Sequence, residues 1–317
     1  MTKFLVTGGA GFIGSHLVRA LLQQGDFVRV LDNFSSGRRE NLTPVSGSPN
    51  FELLEGDLRD PSALEKACAG IDFIFHEAAF VSVPQSMQEP LTCFEINQRG
   101  TELLLEAARR AGVRRVVLAS SAAVYGDLEQ MPLEEDFPLR PLSPYAVSKR
   151  VDELYAQMYT RSFGLEVAAL RYFNVYGPRQ RPDSMYAAAV PIFTRRLLDG
   201  QPITIYGDGG QTRDLIFVGD VVRANLIASQ HPAAPGQVFN VCTGAETRVL
   251  DLVETLRGFF PAAAAPSFAP VRAGDIYRSL GSPAKAQKML GFRAQTSLAD
   301  GLRAVVEEMK SAGRPGF

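Results

Sequence analysis

Gly8-Gly9-Ala10-Gly11-Phe12-Ile13-Gly14 stands between an apolar, β-prone segment, Lys3 to Thr7, and a stretch from Phe12 to Gln24 with Leu17, Ala20 and Leu21 on one helical face. It reads as GxGxxG at Gly9, Gly11 and Gly14, and as GxxGxxG at Gly8, Gly11 and Gly14. Glycines let a backbone turn tightly and approach a pyrophosphate, while a helix N-terminus supplies N–H donors and positive potential. A plain tight turn could carry the same glycines. Their place between strand and helix predicts a dinucleotide site. Asp32 closes the next apolar run, Phe27 to Leu31. A carboxylate there can accept hydrogen bonds from both hydroxyls of an adenosine ribose and repels a 2′-phosphate, which favours NAD over NADP. Asp57, after a third run at Phe51 to Leu54, is a candidate for the adenine amino group or a simple turn residue.

The rhythm continues outward from this motif. Further strands are predicted at Phe73 to Phe75, Arg115 to Ala119 and Glu166 to Leu170, and helices from Pro61, over Glu95 to Ala111 and over Tyr145 to Ser162. Strands alternating with helices imply a parallel sheet covered on both faces. After Arg171 the alternation breaks. Pro178 to Asp183 and Gly207 to Gln211 read as loops, Val218 to Ser229 as a helix and Gln237 to Val241 as a returning strand. Pro261 to Pro270 reads as an exposed alanine/proline spacer. The second half is expected to lie over the strand ends, where open α/β sheets bind ligands.

Composition narrows the function. The 317 residues are 46% hydrophobic and 21% charged, an ordinary globular balance. With 33 basic and 34 acidic residues the net charge is −1, so there is no basic field to hold nucleic acid or an anionic membrane. Cys68, Cys93 and Cys242 are far apart, as are His16, His76 and His231, so neither a disulfide framework nor a metal site is expected. No leader-like or bilayer-length apolar run is seen, and a reducing, cytoplasmic setting is expected.

Tyr145-Ala146-Val147-Ser148-Lys149 places a phenol and an ammonium on one face of a helix start. An ammonium beside a phenol favours the phenolate, the form that can take a proton. Ser120-Ser121 closes the fifth strand and can face the same cleft. Ser, Tyr and Lys beside NAD would make a hydride-transfer site in which Tyr145 takes the alcohol proton and Ser121 orients the oxygen. Alone, Tyr-x-x-x-Lys is also a common surface pair.

With these motifs, and with Asp32-Asn33, Asp57-Leu58, His76-Glu77-Ala78-Ala79, Asn97 and Arg171-Tyr172-Phe173-Asn174 in order, the chain resembles the extended short-chain dehydrogenase/reductase family along nearly its whole length. The resemblance implies an α/β fold: a Rossmann-type doubly wound parallel sheet over residues 1–170, rejoined by about 214–241, and a smaller mixed α/β lobe from 171–213 and 242–317. It implies NAD held by Gly8, Gly11, Phe12, Ile13, Gly14, Asp32, Asn33, Ser35, Ser36, Gly37, Asp57, Leu58, Ala78, Ala79, Asn97, Tyr145, Lys149 and Phe173, and catalysis by Ser121, Tyr145 and Lys149. On the substrate side it implies Ser82, Ser121, Tyr145, Asn174, Gln180, Arg181, Val190, Tyr206, Arg213, Arg272, Asp275 and Ser279, with two arginines meeting a diphosphate. It also implies a homodimer through the helices that carry Val151, Leu154, Tyr155 and Met158, and Leu104, Leu105 and Ala108.

Within that family the dehydratases carry Asp-Glu after the catalytic Thr, and the UDP-glucuronate decarboxylases a Glu there. This chain has Ala122 and Ala123 after Ser121, which resembles the UDP-hexose 4-epimerases. Phe80 to Ser86, Tyr186 to Pro191 and a small residue at Ser279 resemble the UDP-N-acetylglucosamine members. Arg179 to Asp183 resembles the UDP-glucuronate 4-epimerases, which leaves a uronate as the second reading. Another reaction on the same scaffold, or a non-enzymatic NAD-binding regulator, are the remaining alternatives.

Overall fold

Strand β1 (Lys3–Thr7) lies at the centre of the molecule because every residue after Lys3 is buried, which demands cover on both faces. The computed structural model describes residues 1–182, 189–271 and 276–312. Strand β1 pairs in parallel with β2 (Phe27–Asp32) on one side and β4 (Phe73–His76) on the other. Beyond β2 lies β3 (Phe51–Glu55); beyond β4 lie β5 (Arg115–Ser121), β6 (Glu166–Tyr172) and β11 (Val238–Val241). The order is β11-β6-β5-β4-β1-β2-β3, parallel throughout. Strand order reverses between β1 and β4, and there a crevice opens beyond the strand ends.

Helices α1 (Phe12–Gln23) and α8 (Val218–Gln230) cover one face; Leu17, Leu21, Val221 and Ala228 pack there against Phe4, Phe75 and Val117. Helices α2 (Pro61–Cys68), α5 (Gly100–Ala111) and α6 (Pro144–Met158) cover the other. Leu104, Leu105 and Ala108 are fully buried against this face, so that stripe covers its own sheet and offers no surface for a second subunit. The start of α6 is fixed locally. Ser143 accepts a hydrogen bond from the Ala146 N–H, and Pro144 has the φ of a first helical turn. Tyr145 is thereby set in that turn, at the mouth of the crevice.

Two predicted helices are interrupted. Between α3 (Val83–Gln88), α4 (Pro90–Cys93) and α5, residues Phe94–Arg99 form a wide π-type turn. It turns the buried Asn97 inward to bond Phe80 and Ser148, and such widening commonly marks a functional position. A similar turn, Tyr159–Phe163, follows α6, where the Thr160 hydroxyl bonds the Ala156 and Val167 carbonyls.

The second half packs around its own apolar cluster. It comprises β7 (Asn174–Tyr176), α7 (Ala189–Leu198), β8 (Thr204–Tyr206), β9 (Thr212–Arg213), β10 (Leu215–Phe217), β12 (Thr247–Arg248), α9 (Val249–Arg257), β13 (Ser267–Ala269) and α11 (Leu298–Ala312), whereas α10 (Ala284–Leu290) returns to the large sheet, where Ala286 and Leu290 join the cluster beneath α1 and α8. Phe193, Leu197, Ile205, Leu256 and Val305 are central to that cluster. The stretch Pro261 to Pro270 is more than a spacer. It contains β13, which pairs in parallel with β8; proline-flanked extended backbone can still complete a ladder along an edge.

Candidate active site

A cleft of about 1150 Å³ runs across the ends of the parallel strands, between the sheet and the second half. At one end the glycine loop approaches the neighbouring chain so closely that side chains are excluded. Gly8 has φ +68°, and a Cβ there would stand 2.7 Å from the Ala78 nitrogen. A Cβ on Gly14 would stand 2.2 Å from the Gly8 carbonyl oxygen. The backbone of Gly8, Gly11, Phe12, Ile13 and Gly14 therefore lines the cleft bare, at the N-terminus of α1.

Asp32 is built into this loop. Its Oδ2 accepts from the Ala10 N–H at 2.9 Å and its Oδ1 from the Phe34 N–H at 2.8 Å. Burial raises its pKa against the pull of those two N–H groups. Each oxygen keeps a further lone pair for a ribose hydroxyl. Gly37 lies against it, since a Cβ there would meet both oxygens at 3.0 Å. Asn33, Ser35, Ser36 and Leu58 also line this end. Asp57 lines it too, but its carboxylate is already held by Arg59 at 2.7 and 2.8 Å and by the Asn33 amide at 2.8 Å. The Arg59 hydrogen bonds first, and the Asn33 one, keep it well below the ordinary carboxylate range. The bare glycine backbone and the free lone pairs of Asp32 suit a dinucleotide with an unphosphorylated ribose.

At the other end, Ser121, Tyr145 and Lys149 all line the cleft, with Ala78, Ala79 and Phe173. The Ser121 Oγ accepts from the Ala123 N–H at 3.2 Å, which fixes its rotamer at the end of β5. Lys149 is buried and its Nζ donates to Asp152 Oδ2 at 3.1 Å. Burial pulls the ammonium down, but Asp152, Tyr145 and Glu77 outweigh it and the net shift is upward, so Lys149 keeps its proton. Asn97 does not line the cleft. It clamps both polar atoms of the Phe80 backbone, at 2.7 and 3.0 Å, and so shapes the cofactor wall from behind. His76 is a structural group. It bonds Thr7 at 2.7 Å and Thr101 at 2.9 Å, and burial, aided by Lys149, lowers it to about 3, so the ring is neutral.

On the substrate side, Ser82, Asn174, Gln180, Arg181, Val190, Tyr206 and Arg213 line the cleft. Ser82 also caps α3. The Arg181 Nη1 donates to the Ser36 carbonyl at 3.2 Å, across the cleft to the Asp32 end. Ser279 is half-buried and is not among the lining residues; it follows Tyr277, whose carbonyl accepts from the Thr212 N–H of β9 at 2.9 Å. Arg272 and Asp275 lie outside the described residues, as do Tyr186, Ala187 and Ala188.

Sequence reasoning missed two groups that the fold brings here. Glu77 was legible only as a charge beside two alanines at the end of an apolar strand. Tyr172, from β6, donates to it at 2.7 Å. Asp152, the partner of Lys149, was visible as an i+3 carboxylate on the same helix.

Residues 4–242 match the model of a family described as NAD dependent epimerase/dehydratase. The chain belongs to that family. It is an NAD-dependent enzyme of the epimerase/dehydratase family, within the extended short-chain dehydrogenases/reductases. UDP-glucose 4-epimerase of Mycolicibacterium smegmatis is 44% identical over 308 residues, 96% of this chain and 97% of that relative. A solved structure of UDP-N-acetylglucosamine 4-epimerase from Methanobrevibacter ruminantium M1, in complex with UDP-N-acetylmuramic acid, is similar with a TM-score of 0.94 at 37% identity, over 98% of this chain and 99% of that one. The dTDP-glucose 4,6-dehydratase of Streptomyces niveus is 35% identical over 313 residues, 96% of this chain and 92% of that relative. Epimerases and dehydratases are thus both among the relatives of this chain. Among the described residues, no helix is long and apolar enough to cross a membrane, and no His/Cys/Asp/Glu group could hold a metal ion.

Proposed function

We propose that this chain interconverts the C4 epimers of a UDP-hexose or UDP-N-acetylhexosamine. The observation that carries the reading is Ser121-Ala122-Ala123 at the end of β5, beside Tyr145 and the protonated Lys149. Ser, Tyr and Lys are suited to proton transfer at a sugar hydroxyl. Elimination or decarboxylation in this family is associated with an acid next to the catalytic hydroxyl, and two methyl side chains stand there. NAD, when bound, supplies a hydride acceptor that is regenerated in each turnover. Tyr145 takes the C4 hydroxyl proton and later returns it, Ser121 orients that oxygen, and Lys149 holds positive charge beside the phenol. Arg213 on β9 would meet the diphosphate, for which a guanidinium fork is suited.

A neutral sugar is favoured over a uronate because Arg181 extends toward Ser36, at the cofactor end of the cleft. The test is a panel of UDP-glucose, UDP-N-acetylglucosamine and UDP-glucuronate followed by NMR. UDP-N-acetylglucosamine should be epimerised at least as well as UDP-glucose, with no net NADH formed. Turnover of UDP-glucuronate alone would transfer the specificity to Arg181, and a 4-keto-6-deoxy product would overturn the reaction class. We propose Ser279 as the gatekeeper of the acetamido group, because it follows the segment that braces β9 and Arg213. Ser279→Tyr puts a ring behind the lining, where it can be accommodated only by shifting the segment that braces β9, and should lower kcat/KM for the acetamido sugar selectively. Equal loss on both sugars would remove Ser279 from that role.

A homodimer is part of the proposal. Leu91 is 79% exposed, Phe94 45% and Leu154 47%, on adjoining helical segments that also expose Met87 and Met158. Such a cluster of exposed apolar side chains is suited to a partner surface. Light scattering at micromolar concentration should give twice the 34.5 kDa chain mass, and Leu154→Glu should weaken that species. A monomeric wild type would end the idea.

A further inference from the structure

Glu77 is a carboxyl at the reactive end of the cleft that proton transfer through Tyr145 does not use. Its N–H donates to the Thr7 carbonyl at 3.2 Å, which fixes the backbone just beyond β4. Its Oε1 accepts from the Tyr172 hydroxyl at 2.7 Å, and that hydroxyl in turn accepts from the Asn225 amide of α8 at 2.7 Å. The carboxyl is thus held by two strands and a helix on the face of the sheet opposite α6. It lines the same cleft as Tyr145 and Lys149, and no donor other than Tyr172 meets it among the described residues.

The charges around it decide its role. From α6 it faces Lys149, whose ammonium is already balanced by Asp152 at 3.1 Å. From β6 it faces Tyr172, and from α8 the neutral Asn225. His76, its chain neighbour, is uncharged and engaged with Thr7 and Thr101. Lys149, Asp152 and an ionised Glu77 sum to one negative charge in a buried site. A cationic ring brought to this end neutralises that charge, whereas a neutral ring leaves it unbalanced. The nicotinamide is cationic when oxidised and neutral when reduced.

We propose that Glu77 is the counter-charge of the oxidised nicotinamide and sets the preference of the site for NAD over NADH. The inference rests on the cofactor of the family and not on which sugar is turned over. Burial pushes the carboxyl up to about 7, against the Tyr172 hydrogen bond and the Lys149 charge, so the counter-charge appears as pH rises through neutrality. Below that value the group is protonated and the preference relaxes. An enzyme that must hand its hydride back gains from such a bias, because the oxidised cofactor is then the resting form.

The experiment equilibrates purified protein with fixed mixtures of NAD and NADH between pH 6 and 8.5, then measures the bound ratio after rapid separation. In the wild type the NAD:NADH preference should rise with pH through about 7 and reach roughly tenfold, the order of one charge pair in a partly polarisable site. Glu77→Gln keeps an amide oxygen for Tyr172 and should flatten the profile at the low-pH ratio. Glu77→Asp should restore part of the slope. An unchanged profile in Glu77→Gln would overturn the proposal and assign the titration to Asp152, which burial raises to about 6. Equal loss of both nucleotides would also overturn it, since that is the mark of a merely structural group.

Discussion

Tyr145→Phe is expected to lower turnover by about 10²–10⁴-fold while leaving the fold and NAD affinity nearly unchanged. The substitution deletes one oxygen. The ring stays in the first turn of α6, whose start is set by the Ser143 cap, Pro144 and the Tyr145 N–H bond to Ser86 at 3.3 Å, none of which uses the phenol. Lys149 keeps its charge through Asp152, so the electrostatics of the cofactor wall survive. Only the oxygen proposed to take and return the C4 hydroxyl proton is lost. Ser121→Ala should be milder, because Tyr145 could still accept the proton from a less well oriented hydroxyl. Stopped-flow absorbance would separate chemistry from binding. A Tyr145→Phe protein with wild-type kcat would eliminate the phenol as the acid/base, and one that no longer binds NAD would assign Tyr145 to binding instead.

The parallel sheet was legible because its strands are buried on both faces and therefore read as continuous apolar runs, and because one glycine cluster fixed the register of strand, turn and helix. Asp32, Ser121, Tyr145 and Lys149 were legible because each sits at a set distance from an element end. What escaped the sequence depended on partners far away in the chain. Glu77 meets Tyr172 95 residues later. The inward turn at Asn97 is chosen by the Phe80 backbone and Ser148, which no helical periodicity reports. Leu104, Leu105 and Ala108 look the same in sequence whether they face a sheet or a second subunit; packing shows that they face the sheet. Strand β13 has no alternation to reveal it, because none of its three side chains is buried and its place is set by backbone pairing with β8.

The largest loss of stability is expected at Arg171, a residue in the motif that also holds Tyr172, Phe173 and Asn174. It is 1% exposed. Its Nε donates to Glu153 Oε1 at 2.6 Å and its Nη2 to Oε2 at 2.9 Å, a buried two-pronged pair. Its Nη1 donates to the Tyr125 hydroxyl at 2.8 Å, and that hydroxyl donates to Asn240 Oδ1 at 2.7 Å. Glu153 also accepts from the Ser120 hydroxyl at 2.8 Å, next to Ser121. One ion pair therefore ties α6, which carries Tyr145 and Lys149, to β5, β6 and β11. Among the described residues, Arg171→Leu leaves the buried Glu153 carboxylate with the Ser120 hydroxyl, the partly exposed Arg150 and the more distant charge of Lys285, and should cost about 3 kcal/mol in urea unfolding, the lower end for a half-broken buried pair. The double change Arg171→Leu, Glu153→Leu removes the stranded charge and should recover part of that loss, because a buried pair is stabilising mainly relative to its half-broken forms. If Arg171→Leu cost less than about 1 kcal/mol, water must reach Glu153. If the double variant were as unstable as the sum of the singles, the damage would lie in packing around Tyr125 rather than in charge. In the double variant the Ser120–Glu153 bond is lost as well, and the strand end that holds Ser121 is no longer pinned to α6. The expected kinetic mark is a fall in kcat larger than any rise in KM, since in the proposed mechanism the Ser121 hydroxyl and the Tyr145 phenol meet the same sugar oxygen.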